Sequence, residues 1–250
     1  MAQVIAFVNH KGGVGKTTST INTGAALATM KHSCLLVDLD PQANLTISMG
    51  IDQGSCQQNI YTALMGEELT PIKVADGLDV IPATADLVGA ELELVSVEGR
   101  ERKLAELLQP VQSKYKYILL DCPPSMGLLT LNALTAADAV AVPLQAQYLA
   151  LHGLQKIQQL VGMVQQNLNG KLCSPAVFIT QYDHRKTLHR NVKEMAEEAL
   201  GQMLCKAVIR DNIALAEAPT QGQTIYQYAP KSNGAADYAE LAKELHKRYK

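Results

Sequence analysis

Residues 9 to 18 read Asn-His-Lys-Gly-Gly-Val-Gly-Lys-Thr-Thr, a spacing that suits the binding of a polyphosphate. Gly12, Gly13 and Gly15 let backbone N–H groups turn inward without a Cβ in the way, so the chain from Gly12 through Val14 to Gly15 can cradle phosphate oxygens. Lys16 supplies a point charge for the β- and γ-phosphates of a nucleoside triphosphate. The Thr17 hydroxyl is placed to ligate Mg²⁺, and Thr18 to hydrogen-bond the α-phosphate. The loop is irregular. In the general pattern G-x-x-x-x-G-K-[ST] the first glycine falls on His10, and a second lysine, Lys11, stands five positions ahead of Lys16.

Two acidic motifs share that chemistry. Cys34 to Gln42 carries Asp38 and Asp40 at the end of an apolar run, and alternation along a strand puts both on one side. Pro41 is expected to stop the strand. Tyr117 to Pro124 is a second apolar run ending in a single carboxylate, Asp121, the usual form of a Walker B element. Asp121 is suited to hold Mg²⁺ through a water, since that ion keeps much of its hydration shell. Ser125 to Gly127 then forms a loop able to sense the γ-phosphate.

These residues need strands that deliver them and helices that leave them. Val4 to Val8 is a strand-like run before the loop, and Lys16 to Met30 reads as the helix whose positive end faces the anion. Further along, β and α signals alternate, with strands expected at 3–9, 33–38, 78–82, 116–121, 138–143, 174–181 and 205–209. Helices are expected at 16–30, 57–65, 85–94, 99–110, 126–135, 150–168, 187–200 and 233–248. The segment from Gly50 to Asp76 is the least regular and is expected to be an insertion packed on one edge. The fold class that follows is α/β, a doubly wound, mostly parallel sheet flanked by helices, like that of P-loop NTPases. The 250 residues suit a single domain.

With 47% hydrophobic and 18% charged residues, disorder is excluded, and the apolar mass is aliphatic because there is no Trp and only two Phe. No apolar run approaches the ~20 residues needed to span a bilayer, and the opening residues lack the pattern of a secretion signal. Five cysteines without C-x-x-C spacing suit buried thiols in a reducing cytoplasm rather than an iron–sulfur site.

The loop Lys-Gly-Gly-Val-Gly-Lys-Thr at residues 11–17 resembles the deviant Walker A form of the family that contains ParA, MinD and the nitrogenase iron protein. That resemblance implies an Mg²⁺-dependent ATPase forming ADP and phosphate. It implies that Lys11 crosses a dimer interface to the nucleotide of the other subunit, that Asp40 orients the attacking water and that Asp38 supports the Mg²⁺ site. Gly127 to Leu134, Asp79 to Thr84, Ala90 to Leu94, Val142 to Gln145, Ala216 to Pro219 and Tyr228 to Ala235 look like Soj-type ParA, in its short form without an N-terminal helix-turn-helix domain. The branch implies a homodimer with ATP, nonspecific DNA binding, a ParB-type activator and a nucleoid-associated cytoplasmic location. Two departures stand out. Ala214 replaces an arginine that is a DNA-binding candidate in relatives, and Gln147, in the segment Gln145 to Tyr148, replaces a usual glutamate. The resemblance also places the region Ile209 to Asn212 near the adenine base, with Asn212 as the contact.

The net charge is −2, so the chain is not globally basic. From His184 to Lys250 there are eleven Lys/Arg against eight Asp/Glu, whereas the preceding residues carry eleven against sixteen. Arg185, Lys186, Arg190 and Lys193 cluster at the start of one helix, a patch that would bind phosphate in a salt-sensitive, sequence-blind way. The alternatives are a solvated helix face, a ParA-like ATPase that positions a protein cargo, a MinD-like membrane-associated ATPase, and a metabolic or maturation enzyme using the same loop. In the tail, Asp237 to Lys250, the stripe of Tyr238, Leu241, Leu245 and Tyr249 is narrow, which favours packing on the protein's own sheet over a stable membrane anchor.

Overall fold

The aliphatic runs form eight strands: β1 Gln3–Phe7, β2 Cys34–Asp38, β3 Ile72–Ala75, β4 Leu78–Ile81, β5 Tyr117–Asp121, β6 Ala139–Gln145, β7 Ala176–Tyr182 and β8 Leu204–Arg210. The computed structural model describes residues 1–147 and 150–249, so Tyr148 and Lys250 lie outside the described residues. The strands make one sheet in the order β3-β4-β2-β5-β1-β6-β7-β8, parallel throughout except for the β3–β4 pair. The helices are α1 Lys16–Thr29, α2 Asn44–Ser48, α3 Ile60–Leu64, α4 Leu87–Glu93, α5 Lys103–Leu108, α6 Leu128–Ala136, α7 Ala150–Asn167, α8 Thr187–Leu200, α9 Ala214–Glu217, α10 Ile225–Tyr228 and α11 Asn233–Arg248.

Each central strand buries both faces, and its period of two divides the core. Val4 and Ala6 of β1, Leu35 and Val37 of β2, and Ile118 and Leu120 of β5 face α3 to α8. Ile5 and Phe7, Cys34 and Leu36, and Tyr117 and Leu119 face α1, α2 and α11. Tyr238, Leu241, Ala242 and Leu245 of α11 are buried in this second core, so the tail's apolar stripe packs on its own sheet as expected.

The register positions the site. In the β2–β5 ladder Asp38 stands directly beside Asp121, and in the β1–β5 ladder Asp121 stands beside Phe7. The phosphate-binding loop and both carboxylates therefore emerge at the same end of three adjacent strands, the carboxyl end where open parallel sheets take their ligands.

Several expected boundaries shift. β1 ends at Phe7 rather than at residue 9, because Val8 N–H is the last to pair, with Ala141 O, and the Asn9 amide turns aside to donate to Pro143 O at 2.7 Å. The helix expected at 57–65 begins only at Ile60, where Asn59 caps it with a reciprocal Thr62 contact. The helix expected at 99–110 is split into a 3₁₀ turn at Arg100–Arg102 and the short α5. The irregular stretch does lie on an edge, but it contributes β3, the one antiparallel strand, joined to β4 by a turn at Asp76-Gly77 with Gly77 at φ +71°. Of the five cysteines, Cys34, Cys122 and Cys205 are buried, while Cys173 is exposed.

Candidate functional site

Between β1 and α1 the loop is held from behind. Thr180 Oγ1 donates to Val14 O at 2.9 Å and Gln181 Nε2 donates to Gly13 O at 2.8 Å. With its carbonyls turned toward β7, the N–H groups of Gly13 to Thr17 donate to no protein group among the described residues. Gly15 caps α1 without any side-chain hydrogen bond, so the orphan donors and the positive helix end converge on one point. Gly13 (φ +72°) and Gly15 (φ +89°) adopt backbone that L side chains rarely reach. A Cβ at Gly12 would meet no protein atom within 4 Å, and Gly12 has no positive φ, so the protein itself sets no demand for glycine there.

Lys16 is only 7% exposed and donates to Lys11 O at 3.3 Å. Burial pulls its ammonium below the ordinary lysine range, against the pull of Asp121 and Asp40 nearby. Thr17 Oγ1 donates to Asp121 Oδ2 at 2.7 Å, and Thr20 Oγ1 approaches Asp121 Oδ1 at 3.4 Å. The Thr17 hydroxyl and Asp121 carboxylate form an all-oxygen pair, the donor chemistry that fits Mg²⁺. Thr18 lies at the rim of a cavity of about 190 Å³ bordered also by Gly15, Arg210, Asp211 and Asn212, which is base-sized and adjoins the loop. A larger recess of about 610 Å³, lined by Ala28, Leu78 and Tyr226, lies at the other end of α1 and has no such cradle.

Asp38 sits one layer back. Its Oδ2 accepts from Thr46 N at 2.9 Å and Thr46 Oγ1 at 2.7 Å, and its Oδ1 accepts from Asp40 N at 3.1 Å. Both Asp38 oxygens are thus engaged by protein donors. Thr46 was not anticipated; it comes from α2, which no periodic signal marked. The strand stops at Asp38 as expected, and Pro41 is the second residue of a turn closed by Ala43 N–H on Asp40 O at 2.8 Å. That turn presents Asp40, whose Oδ1 accepts from Gln42 N at 3.0 Å.

Burial raises Asp121 above the ordinary carboxylate range, with Asp38 as the second cause, and burial likewise raises Asp38. A raised carboxylate binds a proton more tightly in the folded chain than in the unfolded one. Its contribution to stability is full below the unfolded value near 4 and is lost as pH rises through neutrality. Without Mg²⁺, Asp121→Asn is therefore expected to melt higher than the parent at pH 8, by about 2–4 °C for each kcal/mol of relieved penalty, with the gain vanishing near pH 5. Thermal melts in chelator at the two pH values check this; a gain equal at both would show that Asp121 ionises without cost.

The remaining sequence-derived residues fall into three places. Lys11 turns back onto its own chain, its Nζ donating to Gln145 Oε1 at 3.1 Å and Gln147 Oε1 at 2.6 Å. Asn212 borders the 190 Å³ cavity but spends its Oδ1 on Ala214 N at 2.9 Å. The basic patch does sit at the start of α8, partly compensated: Arg185 pairs with Asp183 at 2.9 Å, Lys193 with Glu197 at 3.3 Å, and Arg190 donates to His184 O at 2.8 Å, while Lys186 is exposed. Exposed pairs of this kind are worth ~0–1 kcal/mol.

The AAA domain family model matches residues 2–174. Sporulation initiation inhibitor protein Soj of Bacillus subtilis is 44% identical over 249 residues, which is 98% of each chain. Chromosome partitioning protein ParA of Myxococcus xanthus is 41% identical, over 99% of this chain and 89% of that one. The structure of cobyrinic acid a,c-diamide synthase from Mycobacterium smegmatis with bound ADP and magnesium matches with a TM-score of 0.88 and 34% identity, over 100% of this chain and 96% of that one. With identity at this level running from end to end, and with an eight-stranded sheet that gathers the loop, Asp38 and Asp121 at the carboxyl ends of its central strands, the chain belongs to the ParA/Soj family of P-loop ATPases.

Proposed function

We propose that this protein is an ATP-driven dimerising switch of the partition type, which binds nonspecific DNA in its ATP form, is discharged by a ParB-type activator, and so positions or segregates a plasmid or chromosome. The observation that carries this reading is the loop itself, with inward N–H groups, a buried Lys16 and the Thr17–Asp121 pair at one point. ATP with Mg²⁺, when bound there, supplies a γ-phosphoryl group that water can attack. Thr17 and Asp121 are the residues that would hold Mg²⁺, with Asp38 bracing them, and Lys16 faces the β- and γ-phosphates. Gly12, Gly13, Val14, Gly15 and Thr18 give backbone and hydroxyl donors to the phosphates, and the cavity beside Asn212 receives the base. Asp40 orients the water. Lys11 completes the site of a second subunit. Arg185, Lys186, Arg190 and Lys193 offer the phosphate-binding surface, which dimerisation doubles.

The Mycobacterium smegmatis likeness raises a metabolic reading, the amidation of a corrin acid. The cavity of about 190 Å³ beside the loop suits a purine base in either reading, so dependence of DNA retention on nucleotide is what separates them. The partition reading is tested by retention on random-sequence duplex DNA at low and moderate salt, with and without ATP. Retention is expected only with ATP, to weaken steeply with salt, and to be lost in Lys11→Ala, which stays a monomer on sizing while still binding nucleotide. Retention indifferent to nucleotide refutes the switch.

A further inference from the structure

Three glutamines span the outer half of the loop. Lys11 Nζ donates to the side-chain oxygens of Gln145, at the end of β6, and Gln147, just beyond it. The Gln145 amide donates in turn to Gln181 Oε1, and Gln181 Nε2 donates to Gly13 O at 2.8 Å. The two ends of this chain fix every amide in it. An ammonium only donates, so Gln145 must face it with oxygen; a carbonyl only accepts, so Gln181 must face Gly13 with nitrogen. Gln181 holds its place at a cost: its φ is +53°, in a stretch of β7 where the register with β8 shifts. Non-glycine residues in that conformation persist where the surroundings enforce it, and here the enforced position puts the amide under Gly13. The same side of the loop is anchored again at His10, whose ring lies so close to Gly153 of α7 that a Cβ there would come within 2.1 Å of it.

We propose that Gln145 and Gln147 are positioning residues that hold Lys11 on its own protomer and thereby set how readily the ATP-bound chain dimerises. This rests on the reading above that Lys11 serves the second subunit. Reaching across a dimer interface draws the Lys11 amine away from Gln145 and Gln147, so each dimerisation event releases it from the two amides. Neutral amides suit such a hold, since they orient the ammonium without the grip of a carboxylate. The hold is therefore breakable, and it competes with the phosphates of the neighbour's nucleotide for one cation. Removing the amides lowers the threshold, and replacing Gln147 by glutamate raises it.

The test has two readouts. The first is the rate at which Lys11 is acylated in nucleotide-free protein, followed by mass spectrometry. The second is the dimer dissociation constant with a nonhydrolysable ATP analogue, from sedimentation. In Gln145→Ala/Gln147→Ala, Lys11 acylation is expected to rise, and the dimer constant to tighten roughly thirtyfold or more, the change that losing two modest hydrogen bonds from each of the two protomers predicts. Gln147→Glu should move both quantities the other way, which a merely structural role for the glutamines would not do. Unchanged Lys11 reactivity overturns the hold. Raised reactivity with an unchanged dimer constant overturns its effect on assembly, provided Lys11→Ala alone weakens the dimer. A Lys11→Ala protein that dimerises like the parent fails the underlying reading instead.

Discussion

Lys16→Ala is expected to lower ATP affinity by about 10²- to 10³-fold in a titration with a fluorescent analogue, while the fold stays intact. The magnitude follows from where the amine sits. Lys16 is 7% exposed, and in the free protein its ammonium has one backbone carbonyl, Lys11 O at 3.3 Å, as its hydrogen-bond partner. Its charge is opposed by burial and supported by Asp121 and Asp40. A phosphate group brought to the Gly13–Lys16 arc meets that charge in a desolvated setting, where truncating one partner of a charged pair costs ~2–5 kcal/mol. The fold loses little, because a buried lysine amine is a liability to the empty site, and alanine is the better helix former at the start of α1. Melting temperature should hold or rise as affinity collapses. ATP affinity within about twofold of the parent would falsify the assignment of this loop.

The loop and its carboxylates were legible because their chemistry is written in short spacings. Gly13, Gly15, Lys16 and Thr17 fall within five consecutive residues, and Asp38 and Asp121 each end an unbroken apolar run. Strand ends at one edge of a parallel sheet meet by topology, so two distant motifs could be joined before the register of Asp38 beside Asp121 was seen. What escaped was fixed by tertiary contact. Nothing local announces that Thr46 will donate twice to Asp38, since its helix, Asn44–Ser48, is too short to carry a period. Gln181 is invisible for a related reason: a strand pattern predicts alternation, and its role depends on a break in alternation at positive φ. Gln147 stood out as a departure without a reason, and its contact with Lys11 supplies one. The edge strand β3 was within reach. Asp76-Gly77 before Leu78 is a hairpin signature, but the strand ahead of it, Ile72–Ala75, is only four residues long and carries Lys73, so its pattern is weak.

Asp40→Ala is expected to keep ATP and lose its consumption, with turnover falling about 10²-fold or more, the range associated with removing a group that positions or deprotonates a nucleophile. The local geometry separates the two effects. Asp40 makes no hydrogen bond to Lys16 or to the Thr17–Asp121 pair; its backbone N–H goes to Asp38, its carbonyl closes the turn with Ala43, and its Oδ1 takes Gln42 N–H. Only Oδ1 is committed among the described residues, which leaves Oδ2 to accept from a water at the open side of the turn. Alanine keeps the Pro41 turn, because that turn is closed by main-chain atoms and by a left-handed Ala43 at φ +51°. Binding thus survives, and the ATP form accumulates. Sizing in ATP should show a persistent dimer, and single-turnover assays should locate the loss in the chemical step with affinity unchanged. Because Lys11 must leave Gln145 and Gln147 before that dimer forms, Lys11→Ala introduced into the Asp40→Ala chain should return it to monomer. Turnover at the parent's rate in Asp40→Ala would remove Asp40 from the water; a dimer that survives the loss of Lys11 would place the cross-subunit contact elsewhere.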